Sequence, residues 1–87
     1  MSTVRMDAEN KASGSSYTAR NIAARITKLR LKQRKSICQL ALDAGLNDTV
    51  ILRVENGERV PKIDTLLKII DGLEISPARF FQAFDKY

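Results

Sequence analysis

The chain contains no histidine and no tryptophan, and Cys38 is its single cysteine. Those absences exclude an internal disulfide, a zinc site built from Cys and His, and a Cys–His or Ser–His nucleophile pair. No apolar run approaches the roughly 20 residues that a membrane-spanning helix needs, and no charged-then-apolar leader opens the chain. One unpaired thiol fits a reducing compartment, so a cytoplasmic protein is expected. Glycine and proline are also scarce, at four and two residues, and no glycine-rich phosphate loop or paired carboxylates stand out. An enzyme is not expected, nor any cofactor or metal. What the chain has in excess is positive charge: 15 Lys and Arg against 10 Asp and Glu give a net +5 and a pI near 9.7. Such a balance fits a polyanionic partner. With 87 residues there is room for one small core.

Residues 1–17 mix charge with Ser, Gly and Asn and have no apolar period, so they read as a disordered arm. Residues 18–87 read as one helical domain. Ile22, Ile26, Leu29 and Gln33 repeat at helical spacing and predict a first helix running to about Arg34. Its remaining surface carries Arg20, Arg25, Lys28, Arg30, Lys32, Arg34 and Lys35 without an acid, either a solvated face or an electrostatic footprint for phosphates. Ser36 caps a second helix over residues 37–44, and Gly45 supplies the left-handed residue that stops it. Asn47 caps a third, in which Val50, Ile51 and Val54 share a face and Asp48 meets the positive end of the helix dipole. The β-branched run Thr49-Val50-Ile51 would also suit a strand, but the cap and the Asn56-Gly57 stop favour a helix. After a turn at 58–61, Ile63, Leu66, Leu67, Ile70 and Leu73 mark a fourth helix. Ser76 and Pro77 open a fifth that holds Phe80, Phe81, Phe84 and Tyr87. The predicted fold is all-α, a compact five-helix orthogonal bundle whose second and third helices make a helix-turn-helix corner.

The pattern Ser36-x-x-x-Leu40-Ala41-x-x-Ala44-Gly45-Leu46 followed by Ile51-x-Arg53-Val54-Glu55-Asn56-Gly57-x-Arg59-x-Pro61 resembles the phage-repressor, Cro-like helix-turn-helix regulators. The likeness continues through Leu66-Leu67-x-Ile69 and Leu73-Glu74-Ile75-Ser76, and so covers roughly residues 20 to 84. In size and in the closing Phe80-Phe81 the chain is also similar to controller proteins of restriction-modification systems. The resemblance implies a lambda-repressor-like fold and sequence-specific binding of double-stranded DNA in transcriptional regulation, with repression expected. It implies base contacts from Asp48, Thr49 and Arg53, with Val50 placed to meet a thymine methyl. Phosphate contacts fall to Ser36 and Asn47, and charge adds Arg34, Lys35, Arg59 and Lys62. Arg30 and Glu55 match positions that the family joins by a largely buried ion pair.

Three residues depart from the family's pattern. Ile37 replaces a glutamine that touches a phosphate, Leu52 is apolar where a polar residue is usual, and Lys35 replaces an apolar residue just before the second helix. The aromatic excess of the fifth helix points to a two-fold dimer through Phe81, Phe84 and Tyr87 that reads an inverted repeat. The competing reading keeps the fold but uses the apolar spots of the third helix or the aromatic fifth helix to hold a protein, as an antitoxin holds its toxin.

Overall fold

The computed structural model describes residues 17–86. They form five α-helices, α1 (Ala19–Lys32), α2 (Ile37–Ala44), α3 (Asp48–Glu55), α4 (Ile63–Gly72) and α5 (Pro77–Gln82), followed by a 3-10 turn over Ala83–Lys86. The expected arm lies outside the described residues except for Tyr17, and Tyr87 lies outside them as well.

Local chemistry starts most of these helices. The side chains of Thr18, Ser36, Asn47 and Ser76 each accept a hydrogen bond from the backbone N–H three residues on, at 2.9–3.2 Å. Each such cap is worth about 1 kcal/mol. The cap at Asn47 also holds the β-branched run Thr49-Val50-Ile51 inside α3, where Ile51 and Val54 reach the core. Helix α4 starts at Lys62 without a side-chain cap.

The first helix stops at Lys32 rather than Arg34, because Arg34 takes a left-handed conformation at φ +59°. The N–H of Lys35 then donates to the Arg30 carbonyl at 3.1 Å and that of Arg34 to the Leu31 carbonyl at 3.0 Å, closing a Schellman motif. Gly45 ends α2 in the same region at φ +71°, where glycine pays no Cβ penalty.

Every helix contributes to one core, in which Ile26, Leu40, Ile51, Ile69, Ile70, Leu73 and Phe80 are fully buried. Burying each of these side chains contributes about 2 kcal/mol. In α4 the inward stripe is Leu66, Ile69, Ile70 and Leu73, while Ile63 and Leu67 face outward. The predicted stripe had included the last two, and periodicity alone did not separate i+3 from i+4 neighbours. Helix α2 packs chiefly against α4 and next against α3. The first of these contacts depends on Gly72, since a Cβ there would lie 3.0 Å from both Cβ and N of Ala44. The α2–α3 corner is thus seated on the end of α4.

Among the described residues, the C-terminal rings of Phe80, Phe81 and Phe84 are absorbed within the domain. Phe80 and Phe84 are buried, and Phe81 is half-buried against the core. Tyr17 stacks on Phe84 with ring centroids 5.3 Å apart and meets Phe81 edge-on at 6.1 Å. The part of the expected outward patch made by Phe81 and Phe84 is therefore largely covered by a residue of the expected arm, while Tyr87 lies outside the described residues.

Candidate nucleic-acid interface

Asn47 and Asp48 begin α3 at the surface, and the helix turns Ile51 and Val54 inward. That leaves Asp48, Thr49, Leu52 and Arg53 exposed on the opposite side. Residues advance about 100° around a helix, so these four form one contiguous arc. Val50 lies at its margin and is half-buried. It lines, with Val54, Val60 and Pro61, a groove of about 420 Å³ that Arg53, Arg59 and Lys62 also line. An α-helix exposing such an arc fits a major groove about 12 Å wide.

Around α3, Ser36, Asn47, Arg59 and Lys62 are all exposed. The Ser36 and Asn47 oxygens hold the amides of Gln39 and Val50 respectively. The Asn47 amide nitrogen and the Ser36 hydroxyl proton remain chemically able to donate to a phosphate. Arg34 is exposed within the α1–α2 link.

Lys35 behaves differently from the expectation. Its side chain is only 12% exposed, and its ammonium donates to Asp43 Oδ2 at 2.8 Å and to the Gly72 carbonyl at 2.6 Å, with Glu74 at 3.7 Å. It ties α2 to the end of α4 and is not available to a phosphate. The Lys35 ammonium, helped by the Gln39 amide, holds the Asp43 carboxyl below the usual carboxylate range. The available signal was that similar sequences are apolar at this position, which marks a buried site. Gln33, grouped with the apolar stripe, likewise donates to the Leu73 carbonyl at 2.6 Å.

Two more cations of the basic run are internal. Arg25 donates to the carbonyls of Phe80 and Arg79 at 3.3 and 3.2 Å, and its guanidinium lies 5.9 Å from the Phe80 ring centroid. Arg30 meets Glu55 through two hydrogen bonds of 2.7 and 3.0 Å and donates to the Lys35 carbonyl at 2.8 Å. The Glu55 hydrogen bonds, acting against the cost of burial, raise the Arg30 pKa further. This pair joins α1 to α3. Of the basic run, Arg20, Lys28, Lys32 and Arg34 remain exposed.

An all-helical domain with an exposed, capped second helix of a helix-turn-helix belongs to a broad class of DNA-binding modules. A helix-turn-helix family model matches residues 26–80, and the chain belongs to that Cro/C1-like family. It is similar to the crystal structure of the wild-type restriction-modification controller protein C.Esp1396I, at 31% identity and a TM-score of 0.74 over 82% of this chain and 92% of that one. It is also similar to the C.Esp1396I tetramer in complex with its natural 35 base-pair operator, at 31% identity and a TM-score of 0.75 over 82% and 93%. No curated protein matches the chain. Among the described residues, no helix is long and apolar enough to cross a membrane.

Proposed function

We propose that this chain is a sequence-specific regulator that lays α3 in the major groove of duplex DNA and represses transcription as a two-fold dimer on an inverted repeat. The observation that carries the reading is the exposed arc of α3, with Thr49 and Arg53 as hydrogen-bonding readers and Asp48 able to accept from a cytosine amino group. Arg53 suits guanine O6 and N7, to which it can donate twice. Arg34, Arg59 and Lys62 flank the arc as phosphate contacts, with Ser36 and Asn47 as polar anchors.

A second copy supplies a second half-site about one turn, or 34 Å, away. The controller protein C.Esp1396I, seen as a tetramer on its operator, supports association on DNA. With Phe81 and Phe84 largely covered by Tyr17 and the core, the apolar area open to a second copy includes Ile63 and Leu67, 66% and 42% exposed one turn apart on α4. Selection of bound fragments from random duplexes, followed by fluorescence anisotropy across a salt series, tests the whole reading. Three phosphate-bound cations per protomer predict a dimer whose log affinity falls with log salt at a slope of about −5. Sedimentation equilibrium should give a dimer. Salt-independent binding, or no selection of any sequence, would favour the protein-holding alternative and defeat the reading.

A further inference from the structure

We infer that Leu52 is a specificity residue that reads the C5-methyl group of one thymine in each half-site. The inference rests on α3 being the reading helix and adds to it the identity of one base. Leu52 is 47% exposed, although it belongs to a helix whose other large apolar residues are buried or half-buried. At about 100° per residue, Leu52 and Thr49 occupy the middle of the exposed arc, with Asp48 and Arg53 at its two sides. The residues that share this arc are polar or charged. Leu52 is therefore one apolar spot in a hydrogen-bonding surface, unlike the broad apolar patch on which a protein partner would dock.

A leucine cannot donate or accept, so it recognises only what is apolar on a base-pair edge. In the major groove that feature is the thymine methyl group. Val50, given that contact on sequence grounds, is half-buried and stands at the margin of the exposed arc, and is less suited to the task. Leu52 is adjacent in sequence to Arg53, and successive helix residues rise about 1.5 Å against 3.4 Å per base pair. The thymine therefore falls within one or two base pairs of the guanine that Arg53 contacts.

The test replaces each thymine of the selected operator, one at a time, by deoxyuridine, which differs only in lacking the methyl group. The full chain should show one position per half-site at which this change weakens binding about fourfold, the worth of one buried methyl group. Leu52→Ala should bind the unmodified operator more weakly by a similar factor and be indifferent to deoxyuridine at that position, while Leu52→Met retains the sensitivity. Far-UV circular dichroism confirms that the variants are folded, as a surface substitution predicts. Wild-type binding that tolerates deoxyuridine everywhere, or a Leu52→Ala variant as sensitive as wild type, overturns the assignment while leaving α3 as the reading helix. Leu52→Ala binding DNA normally but losing a protein partner also overturns it. Failure of the wild-type chain to prefer any duplex removes the underlying reading and the assignment together.

Discussion

Replacing Glu55 by alanine strips the Arg30 guanidinium of its carboxylate partner in a place where water has little access. The side chains of Arg30 and Glu55 are 12% and 8% exposed, and two hydrogen bonds of 2.7 and 3.0 Å join them. Each charge-assisted bond contributes about 1.5–3 kcal/mol, and the orphaned cation bears a desolvation cost that its remaining exposure softens. Glu55 is the last residue of α3, where a negative charge opposes the helix dipole, so its removal returns about 0.5 kcal/mol. The net loss should be about 3–5 kcal/mol, or a melting temperature lowered by roughly 15–30 °C in a domain of this size. Urea unfolding followed by far-UV circular dichroism measures it. The companion double mutant, Arg30→Met with Glu55→Met, should recover all but about 1 kcal/mol. The remainder reflects the Lys35 carbonyl, which loses the 2.8 Å bond from Arg30. A loss below about 0.5 kcal/mol for Glu55→Ala, or single substitutions that simply add in the double mutant, would refute the reasoning.

Four further outcomes can be checked. Arg53→Ala should cost about 1–3 kcal/mol of discrimination between operator and random DNA. Lys62→Ala should weaken both alike and flatten the salt slope by about one unit per protomer. An unchanged specific-to-random ratio for Arg53→Ala in a competition assay would remove Arg53 as a reader. Arg34→Gly should raise stability by about 0.5–1 kcal/mol, because glycine accepts the φ of +59° without strain, and a lower melting temperature would contradict this. The Asp43 carboxyl, titrated by NMR, should have a midpoint below the usual value in the folded protein and return toward it in Lys35→Met. Because the folded value is the lower one, the stabilisation from Asp43 is complete above the ordinary carboxylate pKa of about 4 and is lost as pH falls through the folded pKa.

Much of the fold was legible because its boundaries are written in local chemistry. Ser36, Asn47 and Ser76 stand immediately before their helices and cap them, and Gly45 marks a stop that needs no distant partner. The illegible features are those whose partners are far along the chain. Lys35 looked like a free cation because nothing within a few residues reveals the Gly72 carbonyl that it meets. The C-terminal rings looked too numerous to bury because Tyr17, more than 60 residues earlier, had no pattern tying it to Phe84. The α4 stripe was misread in part because Leu67 and Ile69 are equally apolar, and only packing against α2 and α5 selects between them. On the candidate reading face, it was the family resemblance that put forward Asp48, Thr49 and Arg53. The standing of Leu52 required knowing which side of α3 the core takes.

The contact between Gly72 and Ala44 makes the posture of the helix-turn-helix hereditary at a distance. Neither residue is an expected DNA contact, yet a methyl group added at 72 would press on Cβ and N of Ala44, at the last turn of α2. A genetic screen for lost operator binding should therefore recover substitutions at 72 as well as on α3. Gly72→Ala should be relieved only in part by Ala44→Gly, because N and Cα at position 44 stay 3.0 and 3.1 Å from the added carbon, and no change of a base-reading residue should relieve it at all. Over longer descent, position 72 is expected to keep glycine whatever small residue stands at 44, because the backbone there leaves no room for a side chain.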